Sequence, residues 1–271
     1  MKTPSICVLL AASTLCAHAA IVSSYSAGVD PTAGTTGAAD PLSQGWAAST
    51  GSPGSFNYGA DSTNGGWRIT DGTAGGAFFY QQSLSGSAVT EMTSFGWTAT
   101  WTTAVNRDAV SSSGVPNGVN DYYNAGSNQN NNAFWLEVAG NYLYVLSFQS
   151  DADGDILISD GTNTFDITSG VDSLSDELGT GAPSVTYVTF TLSYDVGGGQ
   201  ASLSDSLGGN HGVVATSGSG STNRIVFGAT SSGGQGSTTW NSISVESIPE
   251  PSSLALLGAA GLLGLTRRRR K

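Results

Sequence analysis

Two stretches of strict alternation constrain this chain more than any other feature. Phe95, Trp97, Ala99, Trp101 and Val105 alternate with Gly96, Thr98, Thr100 and Thr102, and Val188, Phe190, Leu192 and Tyr194 alternate with Thr189, Thr191 and Ser193. A period of two puts every apolar side chain on one face of a strand and every hydroxyl on the other, whereas a helical period would scatter both. Residues 134–138 and 142–148 flank Gly140-Asn141, and residues 156–159 and 164–168 flank Asp160-Gly161; both dipeptides suit tight hairpins. Further strands are expected at 67–70, 77–81, 200–203, 224–227 and 240–246. A helical period shows only near residues 171–178. Many short strands with Gly-rich turns and no fixed repeat give an all-β, antiparallel two-sheet sandwich of the jelly-roll kind.

Charged residues make up only 11% of the 271 positions, yet 6 Trp, 9 Tyr and 9 Phe supply a core, which excludes wholesale disorder. Between Ala20 and Ser247, Arg68, Arg107 and Arg224 stand against 19 acids. Nucleic acid is excluded as a partner, because its binding rests on cations that neutralise phosphates.

The ends are of a different character. Lys2, an apolar run over 6–17 and then Ala17-His18-Ala19 follow the order of a secretory signal peptide, with small residues Ala17 and Ala19 before the cut. Signal peptidase would remove residues 1–19, and with them both cysteines, Cys7 and Cys16. The remaining chain would have no thiol, disulfide or thiolate metal site. At the other end Pro249-Glu250-Pro251 precedes an uncharged apolar stretch, then Arg267, Arg268, Arg269, Arg270 and Lys271. The 16 residues 251–266 make a helix of about 24 Å, a short transmembrane helix that spans with the help of snorkelling arginines. The arginines would stay cytoplasmic and the bulk of the chain outside. The expected organisation is a signal peptide over 1–19, a β-sandwich ectodomain over 20–247 and a tail over 248–271.

Pro249-Glu250-Pro251, a short apolar helix and an arginine cluster, in that order, resemble the PEP-CTERM sorting signal. The resemblance implies recognition and removal of the tail by exosortase, and a product on the bacterial cell surface or in the exopolysaccharide of a biofilm. The alternative is a permanent single-span anchor. Within the ectodomain, residues 67–72 (Trp-Arg-Ile-Thr-Asp-Gly), residues 134–138 (Phe-Trp-Leu-Glu-Val), Tyr194-Asp195, Ala201-Ser202-Leu203 and Phe227-Gly228 leading to Trp240 and Ile243-Ser244-Val245 resemble the concanavalin A-like lectin/glucanase, or laminin G-like, superfamily. That likeness implies a jelly roll that often binds carbohydrate.

Catalysis of the superfamily's glucanase type needs two carboxylates across one bond, placed as Glu-x-Asp-x-x-Glu. The chain has no such run, and Glu91, Glu137, Glu177 and Glu246 stand far apart. His211, the only histidine beyond the signal peptide, is expected in a glycine loop and has no nucleophile elbow. The expectation is a non-enzyme that requires no cofactor. Asp151, Asp153 and Asp155 have the alternation that suits Ca²⁺, although Ile156 and Thr162 depart from the EF-hand pattern; the other reading is a polar turn. The polar stretch 106–132 holds eight Asn together with Asp121, Tyr122, Tyr123 and Asn124, groups that suit sugar hydroxyls and ring faces, against the alternative of a plain surface insertion. Trp135 alternates out of phase with Phe134, Leu136 and Val138, so it should leave the core for a ligand-facing surface. The other tryptophans are expected in the core.

The leading expectation is an exported, non-catalytic surface or matrix protein that associates with extracellular polysaccharide. Its rivals are a structural matrix or adhesin protein without a specific ligand, and a secreted glycosidase.

Overall fold

The computed structural model describes residues 19–30, 37–52, 56–61, 65–71, 77–105, 132–139, 141–145, 147–150, 156–159, 164–166, 186–197, 200–206, 208–214, 222–229 and 236–248. The strands are β1 (Ala20–Ser26), β2 (Ala47–Ser52), β3 (Phe56–Ala60), β4 (Trp67–Asp71), β5 (Ala77–Ser83), β6 (Trp97–Val105), β7 (Asn132–Val138) and β8 (Asn141–Val145). They continue with β9 (Ser147–Ser150), β10 (Ile156–Ser159), β11 (Thr164–Asp166), β12 (Thr186–Asp195), β13 (Gln200–Asp205), β14 (Asn210–Val214), β15 (Arg224–Ala229) and β16 (Gly236–Ser247). Helix α1 (Gly86–Phe95) lies between β5 and β6, and a short 3-10 turn, Pro41–Gln44, precedes β2.

An eight-stranded sheet runs β14-β13-β12-β6-β16-β4-β3, with β1 also paired to β16, and a five-stranded sheet runs β2-β5-β15-β7-β8. A small sheet, β11-β10-β9, adds a third element. The two large sheets face each other. Trp101 of the first stacks on Phe134 of the second with centroids 4.5 Å apart, and Phe227 of the second meets Trp240 of the first at 5.2 Å. The Trp67 indole donates to the Tyr80 hydroxyl across the same gap at 3.1 Å. Trp46, Trp67, Trp97, Trp101 and Trp240 are all buried. Stacked aromatic pairs of this kind contribute beyond their area burial.

The long alternating segments fold as read: β6 and β12 pair antiparallel with Phe190 opposite Trp101 and Leu192 opposite Ala99. Three local readings need correction. Phe95 ends a helix and does not open a strand. The Ser85 hydroxyl caps the first turn by accepting from the Ala88 amide at 3.2 Å, and Ala88 and Met92, four residues apart, are buried on one helix face. Gly96, at φ +95°, stops the helix where a side chain would run into the Tyr194 carbonyl. The β7–β8 hairpin turns one residue earlier than read, since Val138 pairs with Asn141. Ala139 takes the left-handed conformation at φ +52°, and its amide donates to the Asn223 side chain at 2.6 Å. His211 belongs to strand β14, not to a loop.

Outward from the core, the eight-stranded sheet presents a field of hydroxyls. Thr98, Thr100 and Thr102 of β6 stand opposite Ser193, Thr191 and Thr189 of β12. On either side β16 adds Ser242, Ser244 and Glu246, and β13 adds Ser202 and Ser204. Thr102 and Thr189 share a hydrogen bond of 2.8 Å, and Thr98 and Ser193 one of 3.3 Å. Among the described residues no helix is long and apolar enough to cross a membrane; the expected apolar helix over 251–266 lies outside them.

Candidate functional site: the outward face of the five-stranded sheet

Phase alone sorts β7 into two sets. Phe134, Leu136 and Val138 join the core, so Trp135 and Glu137 leave on the opposite face. The same parity sends Arg224 and Val226 outward from β15, where Ile225 and Phe227 point in, and Phe79 and Gln81 outward from β5, between Phe78 and Tyr80. Register then assembles the patch. Arg224 stands opposite Glu137 and Val226 opposite Trp135, while Gly228 separates Phe79 from β7. With no side chain at Gly228, Phe79 and Trp135 meet across β15 with centroids 5.5 Å apart.

Glu137 is fully buried and held by three donors. The Thr222 amide and hydroxyl donate to its Oε1 at 2.6 and 2.9 Å, and Arg224 Nε donates to its Oε2 at 3.0 Å. Arg224 also donates from Nη1 to Gln81 Oε1 at 2.8 Å, and its guanidinium carbon lies 5.6 Å over the Trp135 ring. The Arg224 side chain keeps 24% of its surface exposed. Pairing and full hydrogen bonding compensate the cost of burying this carboxylate. The Trp135 indole N–H is itself buried without a partner, so the accessible part of this half-buried residue is its ring. The patch is a guanidinium and two aromatic rings in fixed positions, suited to stacking against an apolar face and to hydrogen bonding with oxygen acceptors.

A second buried acid, Asp61, accepts from Thr239 Oγ1 at 2.8 Å. Burial, with the Asp61 charge nearby, raises the Tyr187 phenol above its ordinary range. Neither acid is joined by others in a metal-binding group, and none of three or more potential ligands exists among the described residues.

Of the residues singled out from the sequence, the structure describes Trp135 and the exposed Ala19 just before β1. Ala17, Asp121, Tyr122, Tyr123, Asn124, Asp151, Asp153, Asp155, Pro249, Glu250, Pro251 and Arg267–270 lie outside the described residues. Phe79 and Arg224, which contact Trp135, and Gln81, Glu137 and Thr222, which hold Arg224 and Glu137 in place, were not read from the sequence as members of its site. Two signals pointed to them: Glu137 follows Trp135 by two residues and so shares its face, and Arg224 is one of only three arginines between Ala20 and Ser247.

Residues 247–271 match the PEP-CTERM protein-sorting motif. Such a motif implies export, membrane-associated sorting to the cell surface and processing by exosortase. No curated protein matches the sequence. Among solved structures, the conserved carbohydrate esterase of the Shiga toxin-encoding bacteriophage phi24B superposes with a TM-score of 0.51 at 16% identity, over 85% of this chain and 99% of that one. Domain 4 of AbnA, the GH43 extracellular arabinanase of Geobacillus stearothermophilus, solved with arabinotriose, gives 0.38 at 8% identity over 88% and 97%. Trypanosoma rangeli sialidase gives 0.41 at 13% identity over 86% and 31%. The first of these supports the fold. The chain is therefore a two-sheet β-sandwich protein that ends in a PEP-CTERM protein-sorting motif.

Proposed function

We propose that this protein is an exported, non-catalytic component of the bacterial cell surface or extracellular matrix that associates with polysaccharide. The observation that carries the reading is Trp135, which phase directs out of the core and which Phe79 and Arg224 hold in one orientation. A preset ring spends little entropy on binding a sugar face. Glu137 is committed to Thr222 and Arg224, and no second carboxylate stands on this face among the described residues, which favours binding over hydrolysis of the two-carboxylate type. Asp121, Tyr122, Tyr123 and Asn124, which suit sugar hydroxyls and ring faces, and Asp151, Asp153 and Asp155, whose alternation suits Ca²⁺, are further candidates that the same test addresses.

The test is retention of the full chain on neutral and acidic bacterial polysaccharides, with calcium and then with chelator. Saturable binding that falls at least tenfold in Trp135→Ala, with unchanged thermal unfolding, supports the reading. Sensitivity to chelator, lost in Asp153→Asn, supports the calcium role. Retention on no polysaccharide in either condition overturns the binding reading and leaves the structural matrix protein, which the hydroxyl field on the opposite sheet favours.

A further inference from the structure

We propose that the outward face of the five-stranded sheet selects uncharged sugars, and that buried Glu137 sets this preference by cancelling the charge of Arg224. The inference rests on the polysaccharide reading of Trp135 and adds to it the chemical class of the ligand.

The first argument is charge. Parity places Phe79, Gln81 and Ser83 of β5, Arg224 and Val226 of β15, and Trp135 and Glu137 of β7 on this face. Of these, Arg224 and Glu137 alone are charged, and they are bonded to each other at 3.0 Å. A solitary exposed arginine would recruit a carboxylate or phosphate from its ligand. Here the carboxylate comes from within the protein. It is fully buried, so water and salt screen it little, and any anion that approaches the guanidinium meets its field. Seen from outside, the pair is a dipole and not a cation. The rest of the molecule pushes the same way, because 19 acids stand against three arginines between Ala20 and Ser247. An acidic polysaccharide is therefore repelled at long range and finds no uncompensated cation at contact.

The second argument is that hydrogen bonding to a neutral ligand survives this cancellation. Arg224 donates one N–H to Glu137 and one to Gln81, and 24% of its side chain stays exposed. A guanidinium has further N–H groups, and these donate to a hydroxyl or ring oxygen without any charge on the acceptor. Beside it the face is apolar: Val226 lies in one row between Gln81 and Trp135, and the Phe79 and Trp135 rings meet at 5.5 Å. The complementary ligand has C–H groups on one side, hydroxyls at its rim and no carboxylate, which describes a neutral sugar ring. Glu137 is thus a specificity-determining residue that need not touch the sugar.

The test is retention of the full chain, in mild detergent, on neutral bacterial polysaccharides, on acidic ones, and on the same acidic ones after reduction of their carboxylates to alcohols. Reduction removes the charge and keeps the backbone. Only retention that Trp135→Ala removes is counted, which sets aside Arg267, Arg268, Arg269, Arg270 and Lys271 of the tail. The expected result is retention on neutral or reduced members, with the acidic parent of a retained reduced form held at least tenfold less. Ser83 is exposed and stands directly opposite Arg224, so Ser83→Lys adds an uncompensated cation and leaves the pair intact. That variant should hold the acidic parents at least tenfold more tightly than the original chain does, and so should Glu137→Gln. Circular dichroism and thermal unfolding confirm that each variant keeps its fold. An acidic polysaccharide held as tightly as its reduced form overturns the proposal and leaves the polysaccharide reading standing. So does a folded Ser83→Lys that gains nothing on the acidic parents. Retention on no member overturns both.

Discussion

Arg224 and Glu137 stand directly opposite each other on β15 and β7, and Arg224 Nε donates to Glu137 Oε2 at 3.0 Å beneath a fully buried carboxylate. The pair pins Thr222, β15 and β7 together, and it fixes the guanidinium over Trp135. Removing one partner leaves the other charge without compensation.

Glu137→Gln should destabilise the fold by about 1–3 kcal/mol, since it keeps the shape but loses the charge-assisted bonds. Glu137→Ala should cost about 3–5 kcal/mol at most, toward the lower end because water reaches part of Arg224. Urea denaturation checks both: the midpoint should fall with the slope unchanged.

Trp101 stacks on Phe134 at 4.5 Å and on Phe190 at 5.4 Å, so it joins both sheets. Trp101→Ala should cost about 3–5 kcal/mol, a large share of the stability of any single domain. The expected readout is a sharply lowered unfolding midpoint or loss of soluble protein, whereas Trp101→Phe should retain a cooperative transition.

Ser85→Ala should cost about 0.5–2 kcal/mol by removing the cap of α1. Gly96→Ala should cost more, because its φ of +95° is unfavourable for alanine and the new methyl meets the Tyr194 carbonyl. Amide exchange of α1 should accelerate in Ser85→Ala while the exchange of β12 stays slow.

Burial raises the phenols of Tyr25, Tyr80 and Tyr187 above the ordinary tyrosine value; neighbouring Tyr80 adds to it for Tyr25, the Trp67 hydrogen bond partly offsets it for Tyr80, and Asp61 adds to it for Tyr187. The unfolded chain would ionise these groups near pH 10 while the fold keeps them neutral, so it binds fewer protons there than the native state. Their contribution is complete below about pH 10 and is lost progressively above it. Thermal unfolding scanned by pH should therefore fall steeply on the alkaline side, and Tyr187→Phe should flatten that fall.

The sequence by itself determined the fold class, the core tryptophans and the character of the tail. Alternation in β6, β7 and β12 is a local property, because the side-chain period of a strand is two whatever it pairs with. It placed Trp135 outside and Trp101 inside before any contact was known. The PEP-CTERM tail was legible for a similar reason, as its three parts are contiguous in the chain. Local pattern was weaker where two elements compete for one residue: Phe95 continues the phase of β6, but the Ser85 cap and the packing of Met92 draw it into α1. The β7–β8 turn likewise followed pairing, since Asn223 holds Ala139 in a conformation that its own side chain disfavours. Tertiary structure alone decided the Glu137–Arg224 pair, whose members are 87 residues apart, and the hydroxyl field, which needs β6 beside both β12 and β16. Those relations depend on strand order and register, and a period of two carries neither, because a slip of two residues keeps every face and changes every neighbour.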